Sequence, residues 1–369
     1  MSASDIRPIT MPKWGLSMTE GKVVAWLVDE GRTINVGDEL LDIETEKIAN
    51  TFEALDAGVL RRKVADVDAS LPIGALLGVL APASVSDADV DAYIAEFQAN
   101  YVPPAVEEEA AGPRYEFLDV HGYRLRYTRT GEGTQIYVLV HGFGGDLDNW
   151  LFNIDALAAV GTVYALDLPG HGESTKAVTA GSVQALAEDL CAFLTSLELS
   201  GVHLVGHSLG GAICLAAALA HPKLVGALSL LAPAGLGPEI NAQYLADFVA
   251  GESRRDMKPV LQQLVADPEL VNRTMIDAIL KYKRLDGVGR ALTAIAAGFV
   301  AGGKQSVALR GRLGELAIPA QVIWGAEDRI IPASHAAGLP AGVTATVLPG
   351  VGHLVQMEAA SDVNRLLKG

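Results

Sequence analysis

The run Val205-Gly206-His207-Ser208-Leu209-Gly210-Gly211 lies between an apolar stretch, Val202 to Val205, and a helix-forming stretch, Ala212 to Ala220. A serine on so tight a strand-to-helix turn takes a strained backbone, and the residues two before and two after it must be small. Gly206 and Gly210 meet that demand. The turn is expected to lift the Ser208 hydroxyl above a sheet. It also aims the Leu209 backbone N–H, at the helix start, toward an anion forming on an attacked carbonyl. Ser208 is the candidate nucleophile.

Such a nucleophile needs a base, an acid that orients the base, and a second oxyanion donor. Gln321 to Gly325 reads as a short strand running into Ala326-Glu327-Asp328-Arg329-Ile330-Ile331-Pro332, which places Asp328 in a loop at a strand end. Glu327 beside it is a rival for the same role. Thr344 to Pro349 is a second such strand, followed by Gly350-Val351-Gly352-His353, so His353 is the candidate base. Upstream, the strand Ile136 to Val140 ends in His141-Gly142-Phe143-Gly144-Gly145, where the Phe143 N–H is the candidate second donor. His121, His171, His203, His207, His221 and His335 are expected to be turn or surface residues. Together with Asp167-Leu168-Pro169-Gly170-His171-Gly172-Glu173-Ser174, these positions resemble an α/β-hydrolase over residues 114–369.

A length of 369 residues exceeds one ordinary domain. No apolar run approaches the roughly twenty residues of a spanning helix, so a soluble chain without a membrane role is expected. The start, Met1-Ser2-Ala3-Ser4-Asp5, lacks the basic and apolar regions of an export signal. Cys191 and Cys214 sit in apolar runs, as buried thiols of a reducing, cytoplasmic compartment would, and no metal site is implied. A net charge of −16 repels phosphates and argues against nucleic acid as a partner. Residues 1–113 hold 8 lysines and arginines against 20 aspartates and glutamates, a net of −12, whereas residues 234–314 hold 11 against 8, a net of +3.

Residues 1–81 read as a small all-β domain, because short runs are punctuated by Glu20-Gly21, Asp29-Glu30-Gly31, Val36-Gly37-Asp38 and Asp56-Ala57-Gly58. Lys47 stands at the tip of a hairpin between Asp42-Ile43-Glu44 and Ala49-Asn50-Thr51-Phe52. With Met11-Pro12-Lys13-Trp14-Gly15-Leu16-Ser17-Met18, the run Glu44-Thr45-Glu46-Lys47-Ile48 resembles a lipoyl domain, a flattened β-barrel. The resemblance implies lipoate bound covalently to Lys47 by a lipoate-attachment enzyme. Biotin carriers place methionine on both sides of the lysine, and Glu46 and Ile48 depart from that.

Residues 82–113 read as a linker. Within it Val90, Tyr93, Ile94 and Phe97 recur at helical spacing after an N-cap at Ser86 or Asp87, and Pro103-Pro104 and Glu107-Glu108-Glu109 then stiffen and extend the chain. The Gly-rich, basic pattern of a peripheral-subunit-binding domain is not found there. In the hydrolase region, residues 234 to about 312 interrupt the strand pattern. Helical spacing over Asn241 to Ala250, Pro259 to Ala266, Asn272 to Lys283 and Gly289 to Ala301 predicts a helical cap above Ser208. Arg254, Arg255, Lys258, Lys281, Lys283 and Arg284 lie in it, either as a solvated face or as a phosphate-binding rim.

The pairing of the two regions, and the runs Met-Pro-Lys-Trp-Gly-Leu-Ser-Met and His-Gly-Phe-Gly-Gly-Asp-Leu-Asp-Asn-Trp, resemble the acyltransferase components of acetoin dehydrogenase complexes. That resemblance implies transfer of an acetyl group from the lipoyl arm to coenzyme A. It also implies two partners, a thiamine-diphosphate-dependent component that loads the arm and dihydrolipoamide dehydrogenase that reoxidises it. A serine esterase carrying a lipoyl domain, and a lipoyl carrier with a non-catalytic hydrolase scaffold, remain as alternatives.

Overall fold

The computed structural model describes residues 6–14, 18–45, 49–103 and 115–369, and the chain divides into two compact units, Met1–Gly112 and Pro113–Gly369. In the first unit the short runs become β1 (Arg7–Thr10), β2 (Glu20–Trp26), β3 (Thr33–Ile34), β4 (Glu39–Glu44), β5 (Ala49–Glu53), β6 (Gly58–Lys63), β7 (Ser70–Pro72) and β8 (Leu76–Ala81). Among the described residues they form two four-stranded antiparallel sheets, β1-β8-β6-β3 and β5-β4-β2-β7. Ile9, Ile34, Leu60 and Leu80 of one sheet share a core with Val23, Leu41, Ile43 and Phe52 of the other, so the alternating apolar positions are buried between the sheets. β4 and β5 pair with Glu44 opposite Ala49, and residues 45–48 join them. The expected lipoylation site, Lys47, lies with Glu46 and Ile48 outside the described residues.

The amphipathic helix does not belong to the connector. It forms α1 (Asp87–Asn100), capped by the Ser86 side chain on Asp89 N–H, and it docks on the first unit. Val90, wholly buried, packs with Tyr93, Ile94 and Phe97 against Ile6, Leu76, Val79 and Ala81. β8 is therefore buried along its entire length, one face toward the opposite sheet and the other toward α1. Polar ties fix the orientation: Arg61 donates to Asp87 at 2.7 Å and to the Val85 carbonyl at 2.8 Å, Arg62 donates to Asp91 at 3.1 Å, and Tyr101 Oη donates to the Ile73 carbonyl at 2.7 Å.

The second unit runs β9 (Tyr115–Val120), β10 (Tyr123–Thr130), β11 (Ile136–Val140), α2 (Leu151–Ala158), β12 (Thr162–Leu166), α3 (Val183–Ser196), β13 (Val202–His207), α4 (Leu209–Ala220) and β14 (Val225–Leu231). After the cap come β17 (Ala320–Gly325), β18 (Val343–Leu348), α9 (Val355–Glu358) and α10 (Ala360–Lys368). Among the described residues the sheet order is β18-β17-β14-β13-β11-β12-β10-β9, parallel from β18 to β12 and antiparallel at the β10 and β9 edge. The central strands β11 and β13 are covered on both faces, which is why they read as unbroken apolar runs rather than alternating ones. α3 packs on α4, and α10 packs on α2.

The cap holds α5 (Ala242–Ala250), α6 (Arg254–Leu261), α7 (Arg273–Lys283) and α8 (Val288–Phe299), followed by a short hairpin of β15 (Val300–Ala301) and β16 (Lys304–Gln305). The helix expected from Pro259 starts five residues earlier. A capping box between Ser253 and Asp256 sets that start, and Pro259 is accommodated inside the helix. Among the described residues no helix is long and apolar enough to cross a membrane.

Because Val90 closes the face between α1 and β8, Val90→Ala should destabilise a fragment of residues 1–103 by about 1–2 kcal/mol. Denaturant unfolding of that fragment checks this, and an unchanged midpoint would show that α1 lies outside the cooperative unit.

Candidate active site

Ser208 sits at the carboxyl end of β13 with φ 53° and ψ −116°, a positive φ that a β-substituted residue adopts only under compulsion. A Cβ at Gly206 would run into the Gly210 carbonyl and lie 2.8 Å from Cys214 Sγ, while one at Gly210 would run into the carbonyl oxygens of Val140 and His141. The two glycines are therefore required by contact between backbones. Ser208 N–H donates to the Leu231 carbonyl at 2.9 Å, which fixes the turn to β14. Leu209 is the first residue of α4, so its N–H has no partner within the helix and faces the end where anions are stabilised.

Asp328 and His353 come from the loops after β17 and β18 and meet with Nδ1–H donating to Asp328 Oδ2 at 2.7 Å, both side chains almost wholly removed from solvent. Trp324 Nε1 donates to the same Oδ2 at 3.0 Å, and the N–H groups of Ile330 and Ile331 donate to Oδ1 at 2.8 and 3.0 Å. Burial alone would raise the Asp328 carboxyl. The neighbouring His353, its hydrogen bond and those two backbone donors outweigh burial and hold the carboxyl below its usual value. Asp328 thus stays ionised and fixes the His353 tautomer with Nε2 free to accept a proton. Glu327 is exposed on the same loop. Ser208 and His353 line one cavity. Among the described residues their side chains are not hydrogen-bonded to each other, and such bonds commonly close only once substrate is bound.

The oxyanion loop is held by neutral histidines. His141 Nε2 accepts from Leu168 N–H at 3.0 Å and its Nδ1–H donates to the Gly142 carbonyl at 2.7 Å; His171 Nε2 accepts from Gly144 N–H at 3.1 Å. Burial pushes both rings down, His171 well below its usual value with His141 adding to the effect, so each remains the neutral acceptor these bonds need. Asp167, paired with Arg126 at 2.6 Å, accepts from Leu147 N–H at 2.9 Å just beyond the loop. His207 Nε2 donates to the His353 carbonyl at 2.9 Å, and burial pushes its pKa down to about 3. His171, His203, His207 and His335 are thus buried rather than on the surface, although His171 does lie in the turn expected for it. His171 and His207 support the site, and the signal for this was their place inside the Asp167–Ser174 run and the elbow motif.

Above Ser208 the cap closes an apolar cavity lined by Tyr244, Leu245, Phe248, Leu261, Ile279 and Phe299, with Gly142, Phe143 and Asn149 on the sheet side. The Phe143 ring packs edge-on against Phe248 with centroids 5.8 Å apart and lies 6.1 Å from the Phe299 ring, so the oxyanion loop shares aromatic contacts with both α5 and α8 of the cap.

The cap cations separate into two sets. Arg254, Arg255 and Lys258 line a groove between α6 and α7 with Arg273, which sequence reasoning did not single out, over a floor of Pro259, Val271 and Ile276. Arg254 Nη2 donates to Asp277 at 2.7 Å. Lys281 on α7 and Arg284 just after it are exposed and lie outside that lining. Lys283 is not part of a rim: its half-buried ammonium caps α5 by donating to the carbonyls of Phe248 and Val249, the latter at 3.2 Å, and lies over the Phe248 ring. Among the described residues no cluster of histidine, cysteine and carboxylate side chains suits a metal.

The alpha/beta hydrolase fold family matches residues 138–360, and the biotin-requiring enzyme family, of biotinyl and lipoyl domains, matches residues 7–80. A dihydrolipoyllysine-residue acetyltransferase component of the acetoin cleaving system from Cupriavidus necator is 50% identical over 98% of this chain and 96% of its own. Its counterpart from Pseudomonas putida is 51% identical over 98% and 97%. In fold, a meta-cleavage product hydrolase from Pseudomonas fluorescens superposes with a TM-score of 0.62 at 23% identity, covering 68% of this chain and 95% of that one.

Asp328→Asn should leave the fold intact but reverse the tautomer that Nδ1–H donation requires. Hydrolysis of a small ester should fall by on the order of 10³- to 10⁴-fold, with Glu327→Gln nearly unaffected. The opposite ranking in steady-state kinetics would make Glu327 the orienting acid.

Proposed function

The chain belongs to the dihydrolipoyllysine-residue acetyltransferase components of acetoin cleaving systems, a lipoyl domain followed by an α/β-hydrolase domain, and we propose that it moves acetyl from a lipoyl group on Lys47 to coenzyme A through an acetyl ester of Ser208. The observation that carries this reading is the apolar lining that the cap sets over Ser208. A hydrolase welcomes water at its acyl-enzyme, whereas a transferase must exclude it in favour of a bound thiol. The apolar lining beside Ser208 suits a small acyl group, and the β4–β5 hairpin suits a tip lysine.

When attached, lipoate supplies the sulfur that carries the acetyl group as a thioester. Ser208 Oγ attacks the thioester carbonyl while His353 Nε2 takes its proton and Asp328 stabilises the imidazolium. The N–H groups of Phe143 and Leu209 receive the oxyanion. His353 would then give up its proton to the leaving sulfur as the carbon–sulfur bond breaks. In the second half His353 takes the proton of the coenzyme A thiol, whose sulfur attacks acetyl-Ser208, and Ser208 Oγ recovers the proton as the ester bond breaks.

The groove of Arg254, Arg255, Lys258 and Arg273 supports a place for coenzyme A phosphates, with Lys281 and Arg284 beyond it on the same helix pair. As a component of a multienzyme system, the protein works with a thiamine-diphosphate-dependent enzyme that loads the arm and dihydrolipoamide dehydrogenase that reoxidises it, after a lipoate-attachment enzyme has modified Lys47. The buried free thiols Cys191 and Cys214 suit the cytoplasm.

Ser208→Ala should abolish acetyl transfer and ester hydrolysis together, by on the order of 10⁵-fold or more, while Lys47→Arg should stop only turnover through the arm and spare free acetyl-dihydrolipoamide. Rapid quenching without coenzyme A should yield acetyl on Ser208 by peptide mass mapping; an active enzyme with none transfers directly, and the covalent route is wrong. Arg255→Ala with Lys258→Ala should raise KM for coenzyme A several-fold but hardly that for pantetheine, since only the former carries the nucleotide phosphates. Equal rises for both acceptors would assign these side chains to stability.

A further inference from the structure

The histidine loop is joined to the cap more closely than a lid requires. His353 and Leu354 both donate their N–H to the Leu264 carbonyl, at 2.8 and 3.1 Å. A Cβ on Gly352 would lie 2.7 Å from Ala266 N and 2.8 Å from Val265 Cα, so backbone meets backbone there without intervening side chains. At this seam stands a half-buried carboxylate that the reaction above does not use. Glu358 Oε2 accepts from Ala266 N–H at 2.7 Å and Glu358 Oε1 accepts from Gly352 N–H at 3.0 Å.

We propose that Glu358 is a positioning residue for the catalytic base: one of its oxygens holds the cap turn, the other holds the histidine loop, and His353 is in register only while the cap is seated. This rests on reading Ser208 and His353 as nucleophile and base. The acid loop joins the same seam, since Asn241 N–H donates to the Ile330 carbonyl at 2.8 Å, and Ile330 N–H is itself a donor to Asp328. Arg329 reaches the Ala266 carbonyl at 3.4 Å from that loop. Both members of the His–Asp pair therefore sit on loops bonded to the cap. A cap displaced from this seam removes backbone partners from each, so the site loses its base when it opens to water.

The carboxylate is suited to this by having two equivalent acceptors. Glutamine offers one acceptor and turns an N–H₂ toward the second backbone donor, and alanine offers neither. The test uses Glu358→Gln and Glu358→Ala in the full-length chain, with active Ser208 titrated by a fluorophosphonate and p-nitrophenyl acetate hydrolysis expressed per titrated site. The expected result is a kcat per site lowered roughly 10- to 100-fold in the alanine variant with KM changed less than about twofold, glutamine recovering part of the loss. Amide exchange at Ala266 and Gly352 should accelerate in both variants. A lower melting temperature and fewer titratable sites with wild-type kcat per site would overturn the proposal, leaving Glu358 a stabilising residue only. If alanine prevents folding, the glutamine variant decides by the same measurement. A wild-type chain that is not labelled at Ser208 would instead overturn the nucleophile assignment.

Discussion

Ser208 keeps a positive φ because three backbone segments meet around it with no side chain between them. Gly206 faces the Gly210 carbonyl across the turn, and Gly210 faces the carbonyls of Val140 and His141 at the end of the neighbouring strand. This contact sets how near α4 can start to β13 and how near the oxyanion loop can come to the nucleophile. The helix start leaves the Leu209 N–H without a partner inside α4, and Phe143 follows the end of the neighbouring strand; in the proposed mechanism these two N–H groups receive the oxyanion. The strain is borne by a sheet whose central strands are buried on both faces, so the turn has no room to relax.

Around that contact the site is ordered by groups whose charge state is fixed by burial. His141, His171 and His207 are kept neutral, which lets the first two accept backbone N–H bonds and lets the third donate to the catalytic loop. Asp328 goes the other way, because the neighbouring His353, its hydrogen bond and the backbone donors of Ile331 and Ile330 outweigh burial and favour its ionised form. Opposite protonation preferences within one small volume leave His353 as the group through which the proposed mechanism passes a proton.

The parallel strands, the elbow and the His–Asp loops were legible in the sequence because each has a local signature: an apolar run, a glycine spacing, a strand end followed by a polar loop. Other features were not, since they depend on what lies across the fold. Nothing near α1 says that its apolar face matches the outer side of β8, and nothing near Pro259 outweighs proline except the Ser253–Asp256 box six and three residues before it. Lys283 reads as one more surface cation until α5 ends beside it and offers its carbonyls. Glu358 gave no signal, because its two partners are backbone N–H groups, which no residue type announces.

The bond between Glu358 and Ala266 joins positions 92 apart in the chain, and His207 reaches the His353 carbonyl across 146. Contacts of such separation cost loop-closure entropy that only a nearly complete fold can offset. During synthesis the nucleophile emerges long before its base, so a partial chain has the serine without the means to activate it. On the roles proposed for Ser208 and His353, reactivity would thereby arrive together with the enclosure that directs it.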